Sequence, residues 1–168
     1  MIAVLQRVKS AEVYVDKKIS GRCGCGLFIL LGVMDTDCKE DAVLLADKIS
    51  KMRIFSDQNG KMNLSVTDVG GGALVVSNFT LGANYVHGNR PDFLSSAKPD
   101  AAKPLYELFV SLMKDRIGSV ENGVFGADMK INCECDGPIT IVVDSAKLKH
   151  RGKGNSAEGE DKGKGDRS

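Results

Sequence analysis

The sequence predicts a mixed α/β fold in which mixed sheet layers pack against two main helices, in one domain of residues 1–146. Three observations predict this class. Residues 26–33 form a short, continuous apolar run, typical of a strand buried on both faces. Two other segments carry apolar residues at helical spacing, and several more alternate between polar and apolar residues as strands do. A chain of 168 residues is also long enough to bury a sizeable core.

The chain begins with two predicted strands. Residues 1–9 and 11–19 are expected to pair as a hairpin, because apolar and polar residues alternate through the second of them. The strand predicted at 26–33 follows, and a helix comes after it. Asp37 and Glu40 have the spacing of a capping box at the start of this helix. Its buried side is marked by Ala42, Leu45, Ala46, Ile49 and Met52.

A second hairpin is predicted from residues 53–56 and 61–64, because the Asn59-Gly60 step between them favours the positive φ of a tight turn. Three glycines then lead into a buried strand at 73–76. Residues 82–98 are rich in Gly, Asn and Ser and predict a long irregular loop, of a length that is usually functional or mobile.

A second helix is expected to begin near Asp100, with Pro104 tolerated in its first turn. Its predicted buried stripe is Leu105, Leu108, Phe109, Leu112 and Met113. The domain should then end with two strands separated by a Gly-Pro turn. Strict alternation over residues 125–135 predicts the first, and the apolar run 141–143 predicts the second. Residues 147–168 have no apolar periodicity and predict a disordered charged tail.

Charge and composition restrict the partners. The net charge is +1, but residues 147–168 hold seven of the 23 Lys and Arg and four of the 22 Asp and Glu, so the domain itself carries −2. A protein that binds many phosphates is normally basic, so any nucleic-acid contact should be small and local. No apolar run is long enough to cross a membrane, and no secretory signal is recognisable. We therefore expect a cytoplasmic protein with reduced cysteines and no membrane partner.

Few of the common catalytic patterns are present. Of the two histidines, His87 falls in the predicted loop and His150 in the predicted tail, so a Ser-His-Asp triad would depend on His87 alone. Nucleophile-elbow, P-loop and dinucleotide-binding signatures are missing. The pairs Cys23/Cys25 and Cys133/Cys135 lack the spacing of a zinc knuckle, and packing in the core is the interpretation we favour.

Two short motifs remain. Ser77-Asn78-Phe79-Thr80 follows the strand at 73–76, so its hydroxyls and amide would form a polar site on a rigid support. Asp136-Gly137-Pro138 contains a step that can present backbone carbonyls in an unusual direction. Each motif also has a simpler interpretation, as a strand end that satisfies its own backbone or as a turn before an edge strand. Arg7 could likewise be a solvated strand end.

As a set, these segments resemble the D-aminoacyl-tRNA deacylase family. The resemblance rests on residues 5–8, 53–64, 77–81, 90–91, 125–129 and 137–140, and it spans about residues 1–144 in the family's order and spacing. It implies an enzyme that hydrolyses the ester between a D-amino acid, or mischarged glycine, and the tRNA 3′ end. Such an enzyme proofreads translation, uses no metal or organic cofactor, and is a homodimer with its active sites at the interface.

The resemblance also implies roles for particular residues. The catalytic segment would be Ser77, Asn78, Phe79 and Thr80, which would bound the ester and supply backbone N–H groups as an oxyanion hole. No His or Lys lies near Thr80 in the sequence to activate it, so we expect Thr80 to orient the substrate and not to attack it.

The remaining implied roles concern selectivity and binding. Gly137 and Pro138, with a cis bond between them, would reach into the partner subunit's site, bind the α-amino group and exclude L side chains. Arg7 would hold this dipeptide in place, and Phe125 and Met129 would line the pocket for the terminal adenosine. Two residues depart from the family pattern, Asn78 where glutamine is usual and Cys135 where asparagine is usual. We expect the second departure to affect selectivity more than hydrolysis.

Three other functions stay open at this level. A related deacylase could clear a small L-residue from tRNA, although the intact Arg7 and Ser77–Thr80 motif favour the D-specific branch. A non-catalytic RNA-binding or chromatin-associated module would bind through its basic tail, and deletion of 147–168 would then lower its affinity, whereas an enzyme would keep its activity. A thiol-redox protein is the third possibility, and alkylation of its cysteines would inactivate it.

Overall fold

The structure is a computed structural model that describes residues 1–149, and it is organised around a six-stranded sheet. The strands pair in the order β1-β3-β6-β7; β2 pairs with the second half of β1 on the same side as β3, and β8 pairs with the other side of β1. Strands β4 and β5 form a separate hairpin. The bounds are β1 (Ile2–Val15), β2 (Lys18–Cys23), β3 (Gly26–Gly32), α1 (Lys39–Ser50), β4 (Phe55–Ser56), β5 (Met62–Leu64), β6 (Gly72–Ser77), a 3₁₀ turn (Phe79–Gly82), α2 (Pro99–Ile117), β7 (Val120–Asn122), β8 (Lys130–Asp144) and α3 (Ser145–Lys149). The predicted mixed α/β class is confirmed.

Strand β1 is one continuous element, so the predicted hairpin between residues 1–9 and 11–19 is wrong. One side of β1 pairs with β3 and then with β2, and the other side pairs with β8 along its length. The turn instead lies at Asp16 and Lys17, which both have positive φ. Ser10 has no glycine or proline beside it to stop the strand, and neighbouring strands on both sides hold the chain extended.

Strands β3, β6 and β7 run parallel, and β3 and β6 are the most buried strands of the sheet. The strands predicted at 26–33 and 73–76 are therefore confirmed. Alternate residues of these strands point into two apolar clusters on opposite faces. One face packs against α1 and α2 through residues such as Leu45 and Phe109, and the other encloses a smaller cluster that includes Phe28 and Leu74.

Helix α1 is confirmed, but its capping box lies one residue later than predicted. Cys38 is the N-cap, and its N–H donates to the Asp41 carboxylate at 2.9 Å. Asp37 instead accepts a hydrogen bond from the N–H of Met34 at 2.6 Å, which fixes the chain before the helix. Met52 lies beyond the end of the helix and is only partly buried.

Helix α2 begins at Pro99, one residue before the expected start. Pro99 occupies the first helical position, so Pro104 lies in the second turn and the prediction for it is wrong. The exposed carbonyl of Asp100, which loses its intrahelical donor, can bind water. The buried stripe is rotated relative to the predicted one, with three of the predicted leucines only partly buried; the buried residues are Ala102, Tyr106, Phe109, Val110 and Met113.

The hairpin of β4 and β5 is confirmed, with Gly60 at φ +75° in its turn. Asp57 stabilises this turn by accepting hydrogen bonds from the N–H groups of Asn59, at 2.8 Å, and Lys61, at 3.0 Å. Residues 83–98 contain no helix, and their only strand-like pairings are isolated bridges such as Asn84 with Asp92. The predicted irregular loop is therefore present.

The C-terminal part differs most from the prediction. Strand β8 runs unbroken through Gly137 and Pro138, so these residues do not form a turn between two strands. Residues 125–129 precede this strand as a turn and belong to no strand. Helix α3 includes Lys147–Lys149 of the predicted tail, and Lys149 Nζ lies 2.7 Å from Asp41 Oδ2. The rest of that tail lies outside the described residues. Within residues 1–149, no helix has the length and hydropathy needed to cross a membrane.

Candidate active site

A cavity of about 480 Å³ opens where the parallel strands β3 and β6 end. Ligand sites in sheets of this kind commonly lie at the carboxyl ends of the strands. The walls are mainly apolar and come from four parts of the chain: Leu31, Val33, Ser77, Asn78, Phe79, Phe93, Ser96, Ala97, Pro99, Ala102, Phe125, Gly126, Ala127 and Met129. The cavity thus brings together three residues of the predicted catalytic segment and both residues predicted for the adenosine pocket.

The catalytic segment is held by its own backbone and by the Asn78 side chain. The N–H of Asn78 donates to the carbonyl of Leu31 at 2.8 Å, which extends the β3–β6 pairing by one residue. Asn78 Oδ1 accepts from the N–H of Thr80 at 3.1 Å and from Thr80 Oγ1 at 2.5 Å. The hydroxyl proton of Thr80 is therefore directed to an amide oxygen, which is too weak a base to activate a nucleophile.

Phe79 stands at the mouth of the cavity with 60% of its surface exposed. Its ring meets Phe93 edge-on, with ring centroids 5.0 Å apart. Its carbonyl accepts a hydrogen bond from Ser96 Oγ at 2.7 Å, which ties the segment to the loop 83–98. As the first residue of a 3₁₀ turn, Phe79 has an N–H with no acceptor inside that turn.

Three supporting residues were not among the predicted site residues. Phe93 and Ser96 lie in the loop that the sequence predicted to be long and irregular, but nothing in its composition distinguishes them. Tyr106 packs against Phe125 and donates its hydroxyl to the carbonyl of Val75 at 3.0 Å. Burial raises the pKa of Tyr106 well above its usual value, so the hydroxyl stays protonated and can donate. Its spacing of four residues from Ala102 and three from Phe109 was the signal that could have placed it on the buried face.

Gly137 and Pro138 form an exposed bulge in β8. On the two sides of this bulge, Thr140 pairs with Gln6 and Cys135 pairs with Val8, so residues 136–139 lie opposite the single residue Arg7. The Gly137–Pro138 peptide bond is cis. Gly137 has φ +154°, and a Cβ atom there would lie 2.2 Å from the N atom of Ile139, so the bulge requires glycine.

Arg7 connects this bulge to the body of the domain. Its side chain is only 12% exposed, and Nε lies 2.8 Å from Asp136 Oδ2, an ion pair without the geometry of a hydrogen bond. Its Nη1 donates to the carbonyl of Ile54 at 2.8 Å. Arg7 therefore contacts the residue immediately before Gly137, and its supporting role stays a prediction.

The predicted site residues thus fall into two groups that are far apart in one protomer. Neither Gly137 nor Pro138 lines the cavity. Along the strand direction, Ser77 is level with Leu31 and Ala3, whereas the bulge is level with Arg7, four residues further along β1. Across the sheet, three strand spacings separate β6 from β8. Strand geometry places the two groups about 20 Å apart. Within residues 1–149, no three His, Cys, Asp or Glu side chains meet in a group that could hold a metal ion.

Comparison with known proteins decides the family. The family model described as D-Tyr-tRNA(Tyr) deacylase matches residues 4–144, which is most of the chain. The chain belongs to this family. The resemblance found in the sequence is therefore confirmed, and so is the predicted enzyme class, since a deacylase is a hydrolase of an ester bond.

Full-length relatives of this deacylase are similar throughout the folded part. The D-aminoacyl-tRNA deacylase of Chloroflexus aurantiacus is 52% identical over 149 residues, which cover 89% of this chain and 93% of that protein. The D-aminoacyl-tRNA deacylase of Anaeromyxobacter dehalogenans is 51% identical over 148 residues, with coverages of 88% and 99%. A solved structure named c-Myc DNA Unwinding Element Binding Protein is 34% identical with a TM-score of 0.81, and covers 86% of this chain and 98% of its own.

Proposed function

We propose that this protein hydrolyses the ester of D-aminoacyl-tRNA and of glycyl-tRNA, and rejects L-aminoacyl-tRNA through a bulge supplied by a second copy of the chain. The observation that carries the proposal is the separation of about 20 Å between the cavity and the exposed Gly137–Pro138 bulge within one protomer. Two such half-sites can complete each other in a dimer with two-fold symmetry. The role is proofreading of translation in the cytoplasm.

The cavity fits the terminal adenosine of the tRNA. Its volume is in the usual range for small-molecule sites, and its walls are largely apolar and aromatic. Phe93, Phe125 and Met129 all line the cavity, so a flat base can be packed against apolar surfaces. An almost neutral protein can use such a site because it binds only the 3′ end of the tRNA.

The ester would then lie at the mouth of the cavity, beside the 3₁₀ turn. The N–H of Phe79 is available there to stabilise the negative charge that develops on the carbonyl oxygen. Asn78 holds Thr80 Oγ1 as a donor, so the lone pairs of Thr80 can accept a hydrogen bond from the substrate or from water. In this mechanism water is the nucleophile, and the enzyme contributes mainly by positioning and polarising an ester that is already activated.

Selection would come from the backbone of the bulge. Carbonyl groups of Gly137 and Pro138 would accept hydrogen bonds from the α-amino group, and an L side chain would collide with the same backbone. A D side chain points the other way, and glycine has no side chain to exclude. The ion pair of Arg7 with Asp136 supports this arrangement, because it fixes the start of the bulge from inside the domain.

Exposed apolar side chains near both half-sites support a homodimer. Phe79 lies at the cavity mouth, and Val142 on β8 is 65% exposed. Strand β8 also has one side on which no strand pairs among residues 1–149. A long strand with a free edge is usually covered in a stable protein.

The deciding experiment measures hydrolysis of D-tyrosyl-, L-tyrosyl- and glycyl-tRNA by the full chain with EDTA present. We expect release from the D-tyrosyl and glycyl esters and none from the L-tyrosyl ester. Release of both tyrosine enantiomers would keep the hydrolase but remove the proposed selection. Loss of all activity in EDTA would contradict the cofactor-free mechanism.

A mixing experiment tests whether the bulge acts on the partner subunit. Ala127→Trp should fill the cavity and abolish hydrolysis but leave the bulge intact, whereas Gly137→Ala should damage the bulge and allow L-tyrosyl-tRNA to be hydrolysed. After subunit exchange with an excess of Ala127→Trp, the L-tyrosyl activity of Gly137→Ala should fall, because the intact bulge now faces its cavity. Unchanged L-tyrosyl activity in confirmed mixed dimers would show that the bulge acts within its own subunit.

Nucleic-acid binding without hydrolysis is a second candidate. The similarity to the protein named c-Myc DNA Unwinding Element Binding Protein favours it. Deletion of residues 150–168 tests it and leaves α3 intact. A binding module that uses its basic tail would lose affinity for nucleic acid, whereas the proposed deacylase would keep its full rate on D-tyrosyl-tRNA.

A further inference from the structure

The thiols of Cys133 and Cys135 lie on the same side of β8, with their Sγ atoms 3.7 Å apart. Of the cysteines in the described part of the chain, these are the only two whose thiols are in hydrogen-bonding contact. Residues two apart in a strand have Cα atoms about 6.4–6.8 Å apart. This separation lies at the upper limit of the range that a disulfide spans, so the thiols can be joined if the backbone brings the two residues closer.

The backbone around this pair is able to adjust. Val8 pairs with Cys135 and Ser10 pairs with Glu134, so Lys9 is an extra residue on β1 at this level. The bulge at residues 136–139 begins directly after Cys135. Within one protomer, only β1 pairs with this part of β8 among residues 1–149.

The two thiols differ in access to solvent. Cys135 is exposed and contacts Gln6 Oε1 at 3.8 Å, whereas Cys133 packs against the smaller apolar cluster. Burial, together with the hydrogen bond to the Cys135 thiol, raises the pKa of Cys133 to about 12. A dissolved oxidant would therefore react first at Cys135, and Cys133 is placed to react with the product.

We propose that Cys133 and Cys135 form an oxidation site at which a peroxide generates an intramolecular disulfide. The Cys135 sulfur attacks one peroxide oxygen, the O–O bond breaks, and Cys135 becomes a sulfenic acid while the leaving hydroxide takes up the thiol proton as water. The Cys133 sulfur then attacks the sulfenic sulfur and the S–O bond breaks. The departing hydroxide takes the Cys133 proton and leaves as a second water. The two sulfurs lose two electrons in total, and the peroxide is reduced to two waters.

This disulfide would change the selectivity bulge. Cys135 lies directly before Asp136, which forms the ion pair with Arg7. Gly137, the next residue, belongs to the bulge that we propose excludes L side chains. Closing the sulfur distance from 3.7 Å to about 2.05 Å must move the start of the bulge. Misplacement by about 1 Å at a reacting site can cost about a hundredfold in rate. We expect oxidation to reduce discrimination between D- and L-tyrosyl-tRNA by about tenfold or more, an expectation that rests on the proposed function.

Peptide mapping tests the oxidation site without any activity assay. The reduced full chain is treated with limiting hydrogen peroxide, alkylated and digested with trypsin, which places Cys133 and Cys135 in peptide 131–147 and Cys23, Cys25 and Cys38 in peptide 23–39. We expect peptide 131–147 to lose two hydrogen atoms and resist alkylation until a thiol reductant is added. Peptide 23–39, which has a pair at the same spacing, should stay fully alkylated. Two free thiols, sulfinic acid without a disulfide, or a cross-link between the peptides would each overturn the proposal.

Deacylation assays then test the effect on the bulge. Peroxide should lower the ratio of the hydrolysis rates on D- and L-tyrosyl-tRNA (the D-to-L ratio) of the wild type, and a thiol reductant should restore it. Cys135→Asn, which cannot form the bond, should keep its ratio after the same treatment. A disulfide that leaves the ratio unchanged would overturn the link to selectivity. If neither state hydrolyses any ester, the proposed function fails, and peptide mapping still decides whether the disulfide forms.

Discussion

Residues 77–80, beside the cavity, and the bulge at residues 136–139 are held in opposite ways. Ser77 ends a strand that lies between two parallel neighbours, and Tyr106 supports that strand from α2. The bulge instead projects from a strand that is paired on one side, and one ion pair from Arg7 secures its start. A rigid, recessed support suits groups that must position an ester. An exposed, locally secured bulge would suit an element that enters another subunit, which is the role we propose for it.

Among the variants that test this comparison, Gly137→Ala should have the largest effect, and it should act on discrimination between D- and L-tyrosyl-tRNA. An added Cβ would meet Ile139 N at 2.2 Å, and φ +154° is unfavourable for alanine, so the bulge must change shape. We expect discrimination between D- and L-tyrosyl-tRNA to fall about a hundredfold, while D-tyrosyl hydrolysis falls much less. Gly118→Ala is the matched control, because Gly118 also has positive φ but nothing lies within 4 Å of an added Cβ. Equal loss of discrimination in both variants would contradict the role of the bulge.

Arg7→Ala should have the next largest effect. It leaves the Asp136 carboxylate without its cation and the Ile54 carbonyl without its donor, which should cost about 1–3 kcal/mol of the free energy of unfolding. Loss of the ion pair with Asp136 should also lower the D-to-L ratio about tenfold. Denaturant titration and single-turnover deacylation measure the two effects. Arg7→Lys keeps the charge but not the contact with Ile54, and full recovery of the ratio in that variant would show that charge alone is sufficient.

Thr80→Val tests the cavity side of the comparison. If Thr80 orients water or substrate, turnover of D-tyrosyl-tRNA should fall about tenfold but not disappear. Discrimination should stay unchanged, since the bulge is untouched. Thr80→Ser, which keeps the hydroxyl, should recover most of the rate. Complete loss of turnover in Thr80→Val with substrate binding intact would indicate a nucleophilic hydroxyl.

Tyr106→Phe should have a small effect. The variant removes the hydroxyl that donates to the Val75 carbonyl, but that carbonyl also accepts from the N–H of Gly123 at 3.0 Å. We expect a loss of about 1 kcal/mol in the free energy of unfolding, with rate and discrimination changed by less than about threefold. A large change in rate at unaltered stability would mean that Tyr106 contributes to the site more directly than by supporting β6.

The smallest effect on activity should come from the contact that holds α3. Burial acts to raise the pKa of Asp41, but hydrogen bonds from Lys149, from the Cys38 N–H and from Ser145 outweigh it and hold the pKa well below its usual range. The stabilisation is therefore complete above the ordinary Asp value of 3.8 and is lost as the pH falls below it. Asp41→Asn should remove this acid sensitivity in melting experiments between roughly pH 2 and 5, a range that begins above the ordinary Asp value and extends well below it. Retained sensitivity would assign it to other carboxylates.

Elements that depend on local sequence were predicted well. The turn at Asn59-Gly60 needs only two residues that tolerate positive φ, and β3 and β6 needed only short runs of apolar residues between glycines. The two helices followed from their apolar periodicity, although the stripe of α2 was displaced because Tyr106 was left out of it. Five of the residues predicted for the site line the cavity, namely Ser77, Asn78, Phe79, Phe125 and Met129, and their roles stay predictions.

The arrangements that were predicted wrongly depend on pairing between strands that are distant in the sequence. The amino-acid sequence by itself determined the family, the fold class and the positions of most elements, and it supplied the residues that we propose for both half-sites. Only the tertiary structure decided that β1 is one strand, that Gly137 and Pro138 form a bulge inside β8, and that Cys133 and Cys135 are in contact. The physical reason is that strand register is set by partners more than a hundred residues away, as between Val8 and Cys135, and local propensity carries no information about them.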